Sequence, residues 1–214
     1  MSERTQDFIP AAGTDWLLPL YDPVDHLLRG GRAKECLLRQ ARIPAGARVL
    51  DVGCGTGTLA ILTKRQHPDA MVVGVDPDPK ALALAQRKAA RRGVEVTFDQ
   101  GYCQGLPYPD ENFDVVLSSM MLHHLPRDVK RAMFGEVRRV LAPSGHFHAM
   151  DFGPPRGPFS RLVARLMRGH ASIADNLEGR LPLLMREAGL CSVDETGSVT
   201  RLIGSLAYYR AAAA

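Results

Sequence analysis

Three glycines at alternate positions, Gly53, Gly55 and Gly57, separate an apolar run from a helix-forming stretch in VLDVGCGTG, Val49 to Gly57. Lacking a Cβ, they let the backbone turn sharply and let a ligand lie directly against it. A strand that turns on glycines straight into a helix restricts the chain to few architectures. A nucleotide loop is the obvious use, and a tight strand-to-helix turn with no ligand is the alternative.

The rest of the chain repeats the strand–helix alternation. Arg48–Val52 predicts a strand and Thr58 to about Gln66 a helix; Ala70–Val75 is a second apolar run. Asp78-Pro79 opens a further helix that Gly93 ends, an N-cap with proline in the first turn and a glycine stop. Val94, Val96 and Phe98 alternate as a strand, and Phe113–Ser118 reads as a buried one. Pro126 begins a helix to about Leu141, and Gly145–Asp151 is the next strand. Strands alternating with helices of this length predict a parallel sheet covered on both faces. Such a sheet takes ligands at the carboxyl ends of its strands, where their order reverses.

Beyond Asp151 the rhythm changes. Phe159, Leu162, Val163, Leu166 and Met167 form an apolar stripe at helical spacing, with Arg161, Arg165 and Arg168 on another face. Leu177–Ala188 predicts one more helix. Ser192–Thr196 and Leu202–Tyr209 predict an antiparallel hairpin about Gly197-Ser198. At the other end, Asp22-Pro23 starts a helical stretch broken around Gly30-Gly31.

The chain has 214 residues, room for one domain and a small appendage but not for two catalytic domains. Of its 27 basic residues 22 are arginine, and they are scattered; with a net charge of only +4, a nucleic-acid face is not expected. Cys36, Cys54, Cys103 and Cys191 lie 18, 49 and 88 residues apart, so neither a zinc site nor a redox pair is expected. His123, His124, His146 and His148 have no carboxylate set beside them to complete a metal site, and His146 and His148 read as structural. No run approaches the length of a membrane span and MSERTQDFIP has no signal-peptide core, so the expectation is a soluble, cytoplasmic protein. Nothing in the sequence specifies an oligomeric state.

The glycine loop itself discriminates between nucleotides. Gly55, Gly57 and Ala60 satisfy a loose dinucleotide pattern, and Asp76, 19 residues after Gly57, is the acid expected at a ribose hydroxyl. The first strand, however, ends in Asp51. A carboxylate there opposes a pyrophosphate and attracts an ammonium, which favours a ligand with ribose and amine ends over NAD.

On these residues the chain resembles the class I S-adenosylmethionine-dependent methyltransferases. The likeness continues through VVGVDPD (Val72–Asp78), GYCQGLPYPDENFDVVLSS (Gly101–Ser119), HHLP and RRVLAPSGHFHAMDF, and covers roughly residues 15–210. YDPVDHLLRGG is similar to the quinone-biosynthesis C-methyltransferase branch. The resemblance implies a Rossmann-like α/β fold: a mostly parallel seven-stranded sheet with a C-terminal antiparallel hairpin and helices on both faces. Residues 1–45 would form an N-terminal helical lid segment and 46–214 the donor-binding domain, with a lid insertion at about 152–176.

The resemblance also assigns residues. Asp51 and the loop Gly53, Cys54 and Gly55 would lie along the methionine portion of S-adenosylmethionine. Asp76 would hold both ribose hydroxyls, an ionised carboxylate being an acceptor only. Pro77 or Asp78 would flank the adenine, Cys103 would offer its amide N–H to the ring, and Ser119 and Met120 would lie beneath the sulfonium. Tyr21, with Trp16, would close the site from the N-terminal side. One position departs from the family: Gly101-Tyr102-Cys103 stands where Gly-Asp-Ala is usual, so either Tyr102 or Gln104 substitutes for the adenine-binding aspartate or that adenine contact is lost.

Methyl transfer from a sulfonium depends on alignment and on a dry site, and a base helps where the acceptor must lose a proton. His123, His124 and Asp151 are the candidates. The Asn/Asp-Pro-Pro-aromatic tetrad of nucleic-acid amino-methyltransferases is missing, Ser118-Ser119-Met120-Met121 standing in its place, and no cysteine near that strand suits a cytosine C5 enzyme. The expected acceptor is a small aromatic or apolar molecule, methylated at O, C or N, with S-adenosylhomocysteine as product. The stripe after Asp151 would roof its pocket, pack on the sheet, or seat its arginines on a membrane surface. A non-catalytic nucleotide-binding or regulatory protein that retains the fold is the alternative.

Overall fold

A computed structural model of the protein describes residues 30–167, 171–201 and 204–213. Its helices are α1 (Gly30–Ala41), α2 (Thr58–Gln66), α3 (Pro79–Arg91), α4 (Arg127–Val140), α5 (Pro158–Met167), α6 (Ala174–Leu177) and α7 (Leu181–Glu187). Its strands are β1 (Arg48–Val52), β2 (Met71–Asp76), β3 (Thr97–Gln100), β4 (Phe113–Ser119), β5 (Leu141–Phe152), β6 (Cys191–Arg201) and β7 (Gly204–Ala212).

The seven strands form one sheet in the order β3-β2-β1-β4-β5-β7-β6. The five from β3 to β5 run parallel, and β7 and β6 close the sheet antiparallel. This is the mostly parallel sheet with a terminal hairpin that the sequence predicts. The chain leaves β1 in one direction to build β2 and β3, then returns to build β4 on β1's other side. That reversal opens a crevice at the carboxyl ends of β1 and β4.

Alternating side chains of the central strands feed two cores. Leu50, Val52, Val116 and Phe147 pack with Met133, Phe134, Val137 and Val140 of α4 and Leu181, Leu184 and Met185 of α7. Val49, Val115 and Leu117 face the other way, onto Leu37, Leu38 and Ala41 of α1 and Leu59 and Ala60 of α2. Each large side chain so buried contributes roughly 1.5–3 kcal/mol. Period-two strands and an i, i+3, i+4, i+7 helical face fix the position of every strand end, and therefore of the crevice.

Several boundaries differ from expectation for local reasons. Gly30 and Gly31 stand at the start of α1; the stretch from Asp22, and with it the expected break, lies outside the described residues. The single helix expected over Leu177–Ala188 is two, because Gly179 takes φ +71° and Pro182 starts α7 afresh. The hairpin does not turn at Gly197-Ser198. There Glu195 pairs with Tyr209 and Gly197 with Tyr208, leaving Thr196 as the extra residue of a bulge. Thr196 instead donates its hydroxyl to Gln40 Oε1 of α1 at 2.6 Å, and β6 runs on to Arg201. Residues 202 and 203, where the second strand was expected to start, lie outside the described residues. In α5 the small Ser160 and Ala164 are buried, while Phe159, Leu162 and Leu166 of the apolar stripe stand exposed.

Candidate functional site

The crevice holds a cleft of about 580 Å³ whose floor is the glycine loop. At the end of β1, Asp51 is buried beneath that loop. Its Oδ2 accepts the N–H of Ala60 at 3.1 Å, while Oδ1, equally buried, meets no donor among the described residues. Burial pushes the carboxyl up to about 7, against the pull of the Ala60 N–H and the Lys34 ammonium.

The loop's own donors are committed. Gly53 and Cys54 both donate N–H to the Val75 carbonyl, at 2.9 and 3.1 Å, and Gly57 donates to Cys54. Gly55 donates to Asp76 Oδ2 at 2.8 Å. Gly53, Gly55 and Gly57 all lie in the left-handed region, at φ +70°, +51° and +73°. Their roles differ. A Cβ on Gly53 would strike Met121 and one on Gly57 would strike Ala85 and Phe98, whereas one on Gly55 would meet nothing within 4 Å. Gly55 is therefore the point of close approach from the cleft, and the other two permit close packing behind it.

With these N–H groups spent and an orphaned carboxylate oxygen underneath, the loop is a poor cradle for a pyrophosphate. It suits the cationic end of a ligand instead. Asp76, at the end of β2, offers the complementary feature. Its oxygens each accept one backbone N–H, from Gly55 and from Asp78 at 3.0 Å, which leaves further lone pairs for a diol. Burial raises its carboxyl above the ordinary range. The observed polar groups thus fit a donor with an amino-acid end and a ribose.

Pro77, Tyr102, Cys103 and Gln104 line the cleft beyond Asp76, where an adenine would lie. Tyr102 is at the exposed rim, and its backbone carbonyl accepts the Gly105 N–H at 3.1 Å. Burial pushes the Cys103 thiol up to about 11, so this cysteine is no nucleophile. Ser119, Met120 and Met121 supply the wall at the end of β4. Met120 sits at φ +55°, an uncommon conformation for a side-chain-bearing residue, and its N–H donates to the Met150 carbonyl at 2.8 Å.

His123 and His124 lie beyond the end of β4. His124 faces the cleft together with Leu125, Pro126 and Val129. Burial, reinforced by the neighbouring His123, lowers its imidazole to about 4. His123 and Asp151 do not reach the cleft wall; they stand behind it. Asp151 is fully buried and accepts four hydrogen bonds: from the Leu122 N–H, from His123 Nδ1 at 2.8 Å, from the Phe152 N–H and from Asn176 Nδ2. Burial alone would raise its carboxyl, but His123 and the Phe152 N–H outweigh that and hold it below the usual range.

Tyr21 and Trp16 lie outside the described residues. No residue of α5 lines the cleft. His148 is buried against Gln40, and among the described residues no three His, Cys, Asp or Glu side chains gather to hold a metal. Two residues escaped the sequence reading. Lys34 of α1 lines the cleft although it is buried; a lysine beside Ala33, Leu37 and Leu38 on the core stripe was the available signal. Asn176 gave none, since only the folded insertion brings it to Asp151.

The comparisons with known proteins agree with this geometry. Residues 49–145 match the model of a methyltransferase domain. A demethylmenaquinone methyltransferase of Thermus thermophilus is 40% identical over 154 residues, covering 70% of this chain and 69% of that protein. Another, from Deinococcus radiodurans, is 34% identical over 159 residues, covering 72% of this chain and 64% of that one, just under two thirds of its length. Among solved structures, the YcgJ protein of Bacillus subtilis superposes with a TM-score of 0.63 at 27% identity, covering 79% of this chain and 72% of that one. A likeness of that extent, carried by the strand ends and loop that build the donor cleft, decides the family: the chain belongs to the class I S-adenosylmethionine-dependent methyltransferases.

Proposed function

We propose that the protein methylates a ring carbon of a small apolar aromatic acceptor, a reduced 1,4-naphthoquinone of the demethylmenaquinone kind. The observation that carries this reading is His124. It is an imidazole held neutral by burial, on the cleft wall across from the donor loop. The names of the Thermus and Deinococcus relatives supply the acceptor class.

When bound, S-adenosylmethionine supplies a methyl group already activated on a sulfonium. Asp51 receives the ammonium at its buried, unpartnered Oδ1, Gly55 lets the methionine chain approach the backbone, and Asp76 accepts the ribose hydroxyls. Pro77, Cys103 and Tyr102 border the adenine, with Tyr102 in the place of the family's usual aspartate. Ser119 and Met120 lie under the reacting centre. His124 takes the hydroxyl proton of the quinol, which raises electron density at the adjacent ring carbon; once the new C–C bond has formed and the C–S bond has broken, the ring C–H proton is lost to solvent and the proton on His124 returns to the oxygen. Asp151 fixes His123 through Nδ1, and His123 backs the His124 ring.

The test is turnover of S-adenosylmethionine with a dithionite-reduced 1,4-naphthoquinone carrying a free ring position. S-adenosylhomocysteine release together with a ring-methylated product by mass spectrometry is expected. Release with an O-methyl ether as product overturns carbon as the methylated atom, and donor binding without turnover overturns the acceptor class.

A further inference from the structure

Helix α5 is amphipathic in an unusual sense. Its inward face is made of small residues, Ser160 and Ala164, while its large apolar residues point out: Phe159 is 50% exposed, Leu162 58% and Leu166 77%. At about 100° per residue these three occupy an arc of about 60° on the helix. Arg165 lies about 60° round from Leu162, and Arg161 beyond it. Arg161 and Arg165 are exposed, and no ion pair ties either of them among the described residues. A contiguous apolar ridge of this kind is costly in water and marks a contact surface.

We propose that α5 seats the protein on an anionic lipid surface, with Phe159, Leu162 and Leu166 entering the acyl boundary and Arg161 and Arg165 at the headgroups. Two features select this occupant. The ridge is convex and bordered along one side by Arg165 and Arg161, with the half-buried Val163 on the other, the arrangement of an interfacial helix, whose arginine stems lie along apolar surface while the guanidinium stays at the phosphates. The helix also follows directly on the carboxyl end of β5, the edge of the sheet where the cleft opens. Docking there brings the cleft mouth towards the bilayer. The surface goes beyond the proposed reaction and does not depend on it, because lipid binding is read without acceptor or turnover.

The experiment is co-sedimentation of the full chain with vesicles of phosphatidylglycerol and phosphatidylcholine in equal parts, and with phosphatidylcholine alone. Partition to the anionic vesicles is expected, weakened at high salt. The R161E/R165E variant should lower the partition coefficient by at least roughly thirtyfold, the loss of two arginine charges near an anionic surface, with the added glutamates repelled further. The L162E/L166E variant should abolish it. Both variants alter exposed side chains and should keep wild-type thermal midpoints and S-adenosylmethionine affinity, which separates lost docking from lost fold. No partition to anionic vesicles, or partition unchanged in either variant, overturns the proposal. Maleimide labelling of L166C in a C191S background adds an independent reading. Rapid labelling in solution and protection on anionic vesicles are expected. Slow labelling without lipid means that another part of this chain or a second copy covers the ridge, and overturns the lipid as its occupant.

Discussion

Nδ1 of His123 lies 2.8 Å from Oδ1 of Asp151, a carboxylate with no exposure to solvent. An acceptor at that distance places a proton on Nδ1 and fixes the ring. The His124 ring lies 4.0 Å away, centroid to centroid, and faces the cleft. On the proposed reading the pair divides into a base that meets the acceptor and a partner that holds it in place.

His124→Ala should lower kcat by about 10²–10⁴-fold while leaving S-adenosylmethionine affinity within about twofold. Asp151→Asn should act differently. It removes a buried charge that satisfies four donors, so the fold should lose about 3 kcal/mol or more. Calorimetry and urea unfolding separate the two effects. Full turnover in His124→Ala would reduce catalysis to alignment alone.

Donor binding should depend on pH through Asp51. Its carboxyl, raised to about 7 by burial, must ionise to receive an ammonium. Affinity for S-adenosylhomocysteine should therefore rise as pH increases from 6 to 8, by up to about tenfold. Lys34 counters the rise in this pKa, so Lys34→Gln should move the midpoint of the titration upward. A flat isothermal titration series across that range would remove Asp51 from the ammonium's company.

Asp76→Ala should weaken S-adenosylmethionine binding by about 100-fold, the loss of two hydrogen bonds to a charged acceptor at about 1.5 kcal/mol each. Asp76→Asn, which keeps one carbonyl oxygen, should lose less. Near-normal affinity in both variants would sink the ribose assignment.

Local chemistry accounts for what could be read in the chain beforehand. Asp51, the alternating glycines and Asp76 announce themselves because a strand end, a left-handed turn and a second strand end each demand particular residues. The sheet follows from the same alternation. Three features could not be read that way. The bulge at Thr196 depends on register against Tyr208 and Tyr209, which no local pattern encodes. The outward ridge of α5 has the periodicity of a buried helix, and only the small residues at Ser160 and Ala164 reveal which face packs. Asn176 reaches Asp151 across 25 residues of chain, by tertiary contact alone.

His148 should make the protein acid-labile. Gln40 Nε2 sits 3.1 Å from its Nδ1, and burial lowers the imidazole to about 3. The unfolded chain takes up this proton first, near the ordinary histidine value. Stability present above about pH 6.5 is therefore lost as pH falls towards 3, by roughly 4 kcal/mol in all. His148→Gln should flatten that slope in urea unfolding between pH 6.5 and 4. An unchanged slope would assign the acid lability elsewhere.

The single hydrogen bond from the Gly55 N–H to Asp76 Oδ2 has a further effect. It joins the loop proposed for the amino-acid end of the donor to the acid proposed for its sugar, so on that reading neither half can settle without ordering the other. Fragments should then bind cooperatively: adenosine should raise the affinity for methionine, and methionine that for adenosine, by the same factor. The cleft reads the donor as one word and responds weakly to either syllable.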